Sequence, residues 1–215
     1  MQLTTQRLRE AEQHLGDVDP VMAQLIAIWG PCQLRRQRDR FAMLAKSIVS
    51  QQISTKAARS IQRRLLEKMS GQWSAERLNA LSVEDLRLAG VSPQKAGYLQ
   101  DLSRQILEGS LNLNHMGRLS DERVISSLVG VRGIGRWTAQ MFLMFALARP
   151  NVFPVDDLGI RRAIERLYGL NPDSPKQLYS DVSQKWTPFC TVACWYCWRS
   201  GEEPPDSGQS RARSS

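Results

Sequence analysis

Two short stretches carry residues whose types and spacing suit chemistry. In "LVGVRGIGRWTAQMF", Leu128 to Phe142, three glycines (Gly130, Gly133, Gly135) make a sharp turn that runs straight into an apolar segment. The backbone N–H groups at such a helix start have no helical partner and carry partial positive charge, which suits a phosphate. A dinucleotide fingerprint does not fit, because Thr138 stands where its closing glycine would fall. Directly behind the turn stands Trp137, which either turns an electron-rich face to a ligand or heads a buried helix. In "NVFPVDDLGIRRA", Asn151 to Ala163, the adjacent carboxylates Asp156 and Asp157 lead into a helix. A carboxylate there either caps the helix or, held away from water, stabilises a developing positive charge. The cap reading is the better one for Asp156. Arg161 and Arg162 behind them suit phosphate contact or simple solvation.

These residues need a scaffold, and the chain has the means to build one. It has 215 residues with 42% hydrophobic content, enough for a real core. Lys and Arg outnumber Asp and Glu by 29 to 21, a formal charge of +8, which points to an anionic partner and above all to nucleic acid. The first twenty residues lack the apolar centre of a signal peptide. The longest apolar run, Thr138 to Ala148, is too short to cross a bilayer, so no membrane is expected. Four cysteines suggest a reducing, intracellular setting, in cytoplasm, nucleoid or nucleus. Cys190, Cys194 and Cys197 fall on one helical face and read as small buried apolar residues, so neither metal nor cofactor is expected.

Helical periodicity dominates. Phe41, Leu44, Ala45, Ile48 and Val49 repeat at the helical period, as do Ala57, Ile61 and Leu65, and later Ala163, Ile164 and Leu167. Ser82 followed by Asp85 predicts a near capping box, and Ser120 predicts a plain serine cap. Strand-type alternation is missing, so the fold class is all-α with many short helices. From Gly201 to Ser215 the composition offers nothing to bury and predicts a disordered polar tail.

Taken together, these segments resemble the helix-hairpin-helix DNA glycosylase superfamily (HhH-GPD), in its alkylbase or 3-methyladenine glycosylase II branch. The hairpin "LVGVRGIGRWTA" and the aspartate segment "VDDLGIRR" carry the resemblance, with support from "SQQISTKAA" (Ser50 to Ala58), "LAGVSPQKAGYLQDLS" (Leu88 to Ser103) and "WTPFCTVACWYCW" (Trp186 to Trp198). It implies a two-lobed helical fold over residues 1–200, without an additional N-terminal β-domain. One lobe would come largely from about 41–145 and the other from the terminal helices, with the substrate pocket between them. It assigns Asp157, not Asp156, to catalysis. It places Trp137, Met141, Trp198 and Gln51 at the base, and Gly133, Gly135, Arg136, Thr138, Gln52, Ile53, Ser54 and Lys56 on DNA. Gln52 and Ile53 are the candidates for the wedge that fills the gap left by a flipped base. Lys95 is left between scaffold and phosphate contact. Cys190 departs from the arginine found in many relatives.

Bifunctional members carry a lysine two residues after the second hairpin glycine, and that position is Trp137 here. The resemblance therefore implies a monofunctional enzyme that releases N-alkylated purines such as 3-methyladenine and 7-methylguanine from double-stranded DNA using water. Such an enzyme would act as a monomer, with an abasic-site endonuclease following it. The alternatives are a relative acting on oxidised or mismatched bases, or a DNA-structure-binding protein without chemistry.

Overall fold

The computed structural model describes residues 3–172 and 174–203; the tail read as disordered lies, beyond residue 203, outside them. Among the described residues there are helices and loops and no strand. The chain divides into two compact units, Met1–Arg35 with Ala148–Ser215, and Arg36–Leu147. The first unit opens with α1 (Thr5–Val18) and α2 (Pro20–Trp29). The second unit follows as α3 (Arg40–Ser50), α4 (Thr55–Lys68), α5 (Ala75–Asn79), α6 (Val83–Leu88), α7 (Pro93–Leu107), a 3-10 turn (His115–Arg118), α8 (Asp121–Val129) and α9 (Arg136–Met141). The chain then returns to the first unit with α10 (Leu158–Tyr168), α11 (Lys176–Gln184) and α12 (Cys190–Arg199).

Side-chain caps set most helix starts. Thr4, Asp19, Asp39, Ser54, Ser74, Ser82, Ser92, Ser120 and Asp157 each accept a hydrogen bond from a first-turn N–H. At Ser82 the full capping box forms, with Asp85 returning a bond to the Ser82 N–H. In α3 the five residues of the apolar repeat are all buried, and α3 packs on α7 through its inner face. In α4 the inward residues are Ala58 and Leu65, whereas Ala57 is exposed.

The apolar segment after the glycine turn is not one continuous α-helix. α9 stops at Met141, and Phe142–Ala146 open into a π turn. The carbonyls freed there are taken up by the extended segment before α3: Gln37 N donates to Phe145 O at 2.8 Å and Arg36 Nε to Ala146 O at 2.8 Å.

In the first unit one buried carboxylate ties three elements together. Asp19, 1% exposed, caps α2 through the Val21 N–H at 3.0 Å. It also accepts the Tyr168 hydroxyl at 2.7 Å and the Trp186 indole N–H at 3.0 Å. Burial pushes the Tyr168 phenol far above its usual range, and the Asp19 contact adds to that, so Tyr168 stays a donor. Asp19→Ala would orphan one buried donor, one half-buried donor and a helix cap, and is expected to cost about 3 kcal/mol. Urea unfolding followed by circular dichroism checks this; a loss under about 1 kcal/mol would contradict the assignment.

Candidate active site

The hairpin between α8 and α9 rests on two glycines with different duties. Gly133 sits at φ 83°, and a Cβ there would lie 2.1 Å from Tyr98 Cδ2, so both conformation and space require glycine. Gly135 caps α9 at an ordinary φ of −93°, and a Cβ on it would meet nothing within 4 Å. Neither strain nor packing inside the unit asks for glycine at 135. What its missing Cβ leaves open is the approach to the backbone from outside.

Asp101 anchors this turn from below. It is 8% exposed and accepts the Arg132 backbone N–H at 2.9 Å, an Arg104 guanidinium N–H at 2.6 Å and the Gln105 amide at 2.9 Å. Burial works to raise its pKa, but the bonds from Arg132, Arg104 and Gln105 outweigh it and hold the carboxyl below its usual range.

A second loop, residues 51–54 between α3 and α4, is bound to the hairpin. Lys95 Nζ donates to Val49 O at 2.8 Å and to Gln51 O at 2.6 Å, and Gln51 Nε2 donates to Gly133 O at 2.8 Å. Lys95 is therefore a scaffold residue, and burial draws its ammonium below the ordinary lysine range. Gln52 is held at φ 57°, a conformation rare for a side-chain-bearing residue. Gln52, Ile53, Ser54 and Lys56 are all exposed, while Ser54 also caps α4 through Ala57 N at 3.3 Å. A cleft of about 470 Å³ runs along the joint, lined by Gln52, Lys95, Tyr98 and the hairpin backbone.

Four of the predicted base-facing or wedge residues, Gln51, Gln52, Trp137 and Met141, line one cavity of about 690 Å³ in this unit. Trp137 is 44% exposed, which settles it as a cavity wall and not the buried head of a helix. Gln37, Met43, Lys46, Ser47, Ser50 and Phe145 complete the lining. Sequence reasoning missed these six, although the i, i+3, i+4, i+7 spacing of Met43, Lys46, Ser47 and Ser50 on α3 was a usable signal. Two of the expected DNA contacts have side chains engaged within the unit. Thr138 is 4% exposed and packs inward, as the third residue of a helix whose outer side is taken by Trp137. Arg136 is exposed but already paired with Glu122 at 3.0 Å.

In the other unit, Asp157 is 7% exposed and caps α10. Its Oδ1 accepts the Ile160 N–H at 2.9 Å and the Trp198 indole N–H at 3.0 Å. The cap is thus Asp157 and not Asp156, which is on the surface in an ion pair with Lys176. The reason is register: only the residue directly before Leu158 can reach the N–H three positions on. Gly159, which sequence reasoning passed over, makes the arrangement possible, since a Cβ there would press on Asp157 Oδ1 and Trp198 Cδ1 at 3.2 Å each. Trp198 fixes the orientation of the carboxylate. The cysteines of α12 are buried; burial raises the Cys190 thiol to about 11 and Cys194 and Cys197 further, so they stay protonated. Among the described residues no group of three or more His, Cys, Asp or Glu is placed to hold a metal ion, and no helix is long and apolar enough to cross a membrane.

Residues 45–188 match the HhH-GPD superfamily of base excision DNA repair proteins. The chain is 37% identical to a putative DNA-3-methyladenine glycosylase of Bacillus subtilis over 74% of its own length, and spans 58% of the length of that relative. Among solved structures, a DNA-3-methyladenine glycosidase from Bacillus halodurans superposes with a TM-score of 0.80 at 36% identity, covering 89% of this chain and 88% of that one. A Schizosaccharomyces pombe 3-methyladenine DNA glycosylase in complex with abasic DNA gives 0.79 at 31% identity, covering 89% and 96%.

Gly133→Ala is expected to lose more than about 2 kcal/mol of stability, because a Cβ meets Tyr98 and the backbone is left-handed. Asp101→Asn tests the anchor by pH. A carboxyl with a lowered pKa stabilises above its ordinary value and loses that stabilisation as pH falls. The variant should melt below the wild type at pH 7, and the gap should close below about pH 4. A gap independent of pH would assign Asp101 a packing role alone.

Proposed function

The chain belongs to the HhH-GPD superfamily of base excision DNA repair proteins, and on that premise we propose that it is a monofunctional DNA glycosylase releasing N-alkylated purines from duplex DNA. The observation that carries this reading is the exposed indole of Trp137 on the cavity wall, in the position next to the hairpin where an imine-forming enzyme needs an amine. An indole cannot attack C1′. It can stack on a purine and, better, on a purine made cationic by alkylation, with Met141 as a soft neighbouring wall.

The other parts take roles to match. The N–H groups around Gly133 and Gly135 receive a DNA phosphate, and the exposed turn at Gln52 and Ile53 fills the gap left by the flipped nucleotide. Breaking the N-glycosidic bond builds positive charge on the deoxyribose. Asp157 supplies the compensating carboxylate, pre-oriented by the Ile160 N–H and the Trp198 indole so that little reorganisation is needed. An alkylated purine is a good leaving group and needs little acid assistance. Water completes the reaction and leaves an abasic site, which an abasic-site endonuclease would process; the enzyme works as a monomer.

Single-turnover release of 3-methyladenine and 7-methylguanine from methylated duplex tests this. Asp157→Asn should slow release by about 10²- to 10³-fold with duplex affinity retained; equal rates would remove Asp157 from the chemistry. Gly135→Ala should leave the melting temperature unchanged and weaken duplex binding several-fold. Unchanged binding would free the hairpin of its phosphate role.

A further inference from the structure

In "RRQRDR", Arg35 to Arg40, arginine dominates, and none of these residues takes part in the proposed mechanism. Arg36, Arg38 and Arg40 line a cavity of about 930 Å³ within the second unit, larger than the one that holds Trp137. Phe41 and Trp73, both buried, give it an aromatic wall. It lies apart from the hairpin: Lys95 lines the hairpin cleft and Ile106 lines this cavity, and along α7 the two stand roughly 16 Å apart.

Arg40 is pinned, since its Nη1 donates to Leu113 O at 2.6 Å and to Asn114 O at 3.2 Å. Burial draws its pKa down and the charge of Arg36 adds to that, so two guanidiniums stand close enough to repel each other. The carboxylates on the wall are engaged locally. Asp39 caps α3 through the Ala42 N–H at 2.8 Å, and bonds from its own backbone N–H and from Ser74 hold Glu76 below the usual carboxylate range. Among the described residues neither carboxylate forms an ion pair with Arg38 or Arg40. The buried indole N–H of Trp73 has no acceptor among the described residues, and the Lys46 ammonium lies 5.5 Å from the ring centroid. Guanidinium forks match the paired oxygens of a phosphate, and the volume is that of a small-molecule site. We propose that this cavity is a second binding site, for a phosphate-bearing small molecule, separate from the hairpin. The phosphate relieves the repulsion between Arg36 and Arg40, and the aromatic wall receives the apolar body of the ligand. The site goes beyond the glycosylase reading and does not depend on it.

Titration with inorganic phosphate, followed through the indole N–H signals by heteronuclear NMR, tests this, with Trp73→Phe identifying the signal of Trp73. That signal should move saturably in the wild type. Arg38 is exposed, so Arg38→Gln should melt like the wild type and bind phosphate about tenfold more weakly. Equal affinity in Arg38→Gln overturns the proposal. Phosphate that moves the Trp137 signal and leaves Trp73 in place is held by the hairpin alone, and overturns it too. A short undamaged duplex separates the two sources of phosphate: it should leave the Trp73 signal where it was. A duplex that moves Trp73 as inorganic phosphate does would assign the arginines to the DNA backbone and overturn the small-molecule site.

Discussion

At the end of α3 the carbonyls of Val49 and Gln51 run out of helical partners, and Lys95 donates to both. Much of the functional surface in this unit depends on that three-way contact. It fixes the loop in which Gln52 is held at φ 57°, a conformation that persists only where its surroundings over-determine it. Through Gln51, which reaches the carbonyl of Gly133, the same contact ties the loop to the glycine hairpin. Asp101 holds the hairpin from its other side by way of the Arg132 N–H. In the proposed mechanism, the loop that fills the DNA stack and the turn that takes a phosphate must keep a fixed spacing. Here a half-buried ammonium bound to two backbone carbonyls and a buried carboxylate bound to one backbone N–H and two side chains set it.

The same economy appears around Asp157. A single carboxylate oxygen serves as helix cap and as acceptor for an indole, and the absence of a side chain at Gly159 lets the indole approach. A cap and a charge-stabilising group are compatible duties, because both require an oriented acceptor oxygen. The electrostatic design of the cavity is different in kind. Its polar groups are neutral amides and hydroxyls except for Lys46. The net charge of +8 suits an anionic partner.

Much of this was legible in the residues. Helical periodicity placed α3 and α10, and Ser82 and Ser120 placed the starts of α6 and α8, because both signals are local. The glycine turn and Trp137 were readable for the same reason. What could not be read were contacts across long sequence separations. Nothing near Lys95 in the chain says that its ammonium ends on carbonyls more than forty residues away. Phe145 lines the cavity from within a π turn, which its apolar neighbours do not predict. Thr138 and Arg136 show the converse, residues of suitable type whose side chains are buried or already paired. Gly159 was invisible because its function is to be absent from the space where Asp157 and Trp198 meet.

In the proposed mechanism the hairpin presents an indole where an amine would have to stand, so that water and not the protein attacks the sugar. Borohydride reduction during turnover on methylated duplex tests it most directly. The expected products are free base and an alkali-labile abasic site in an otherwise intact strand, with no covalent adduct. A reduced protein–DNA adduct would contradict it and would point to Lys46, the single amine on the cavity wall.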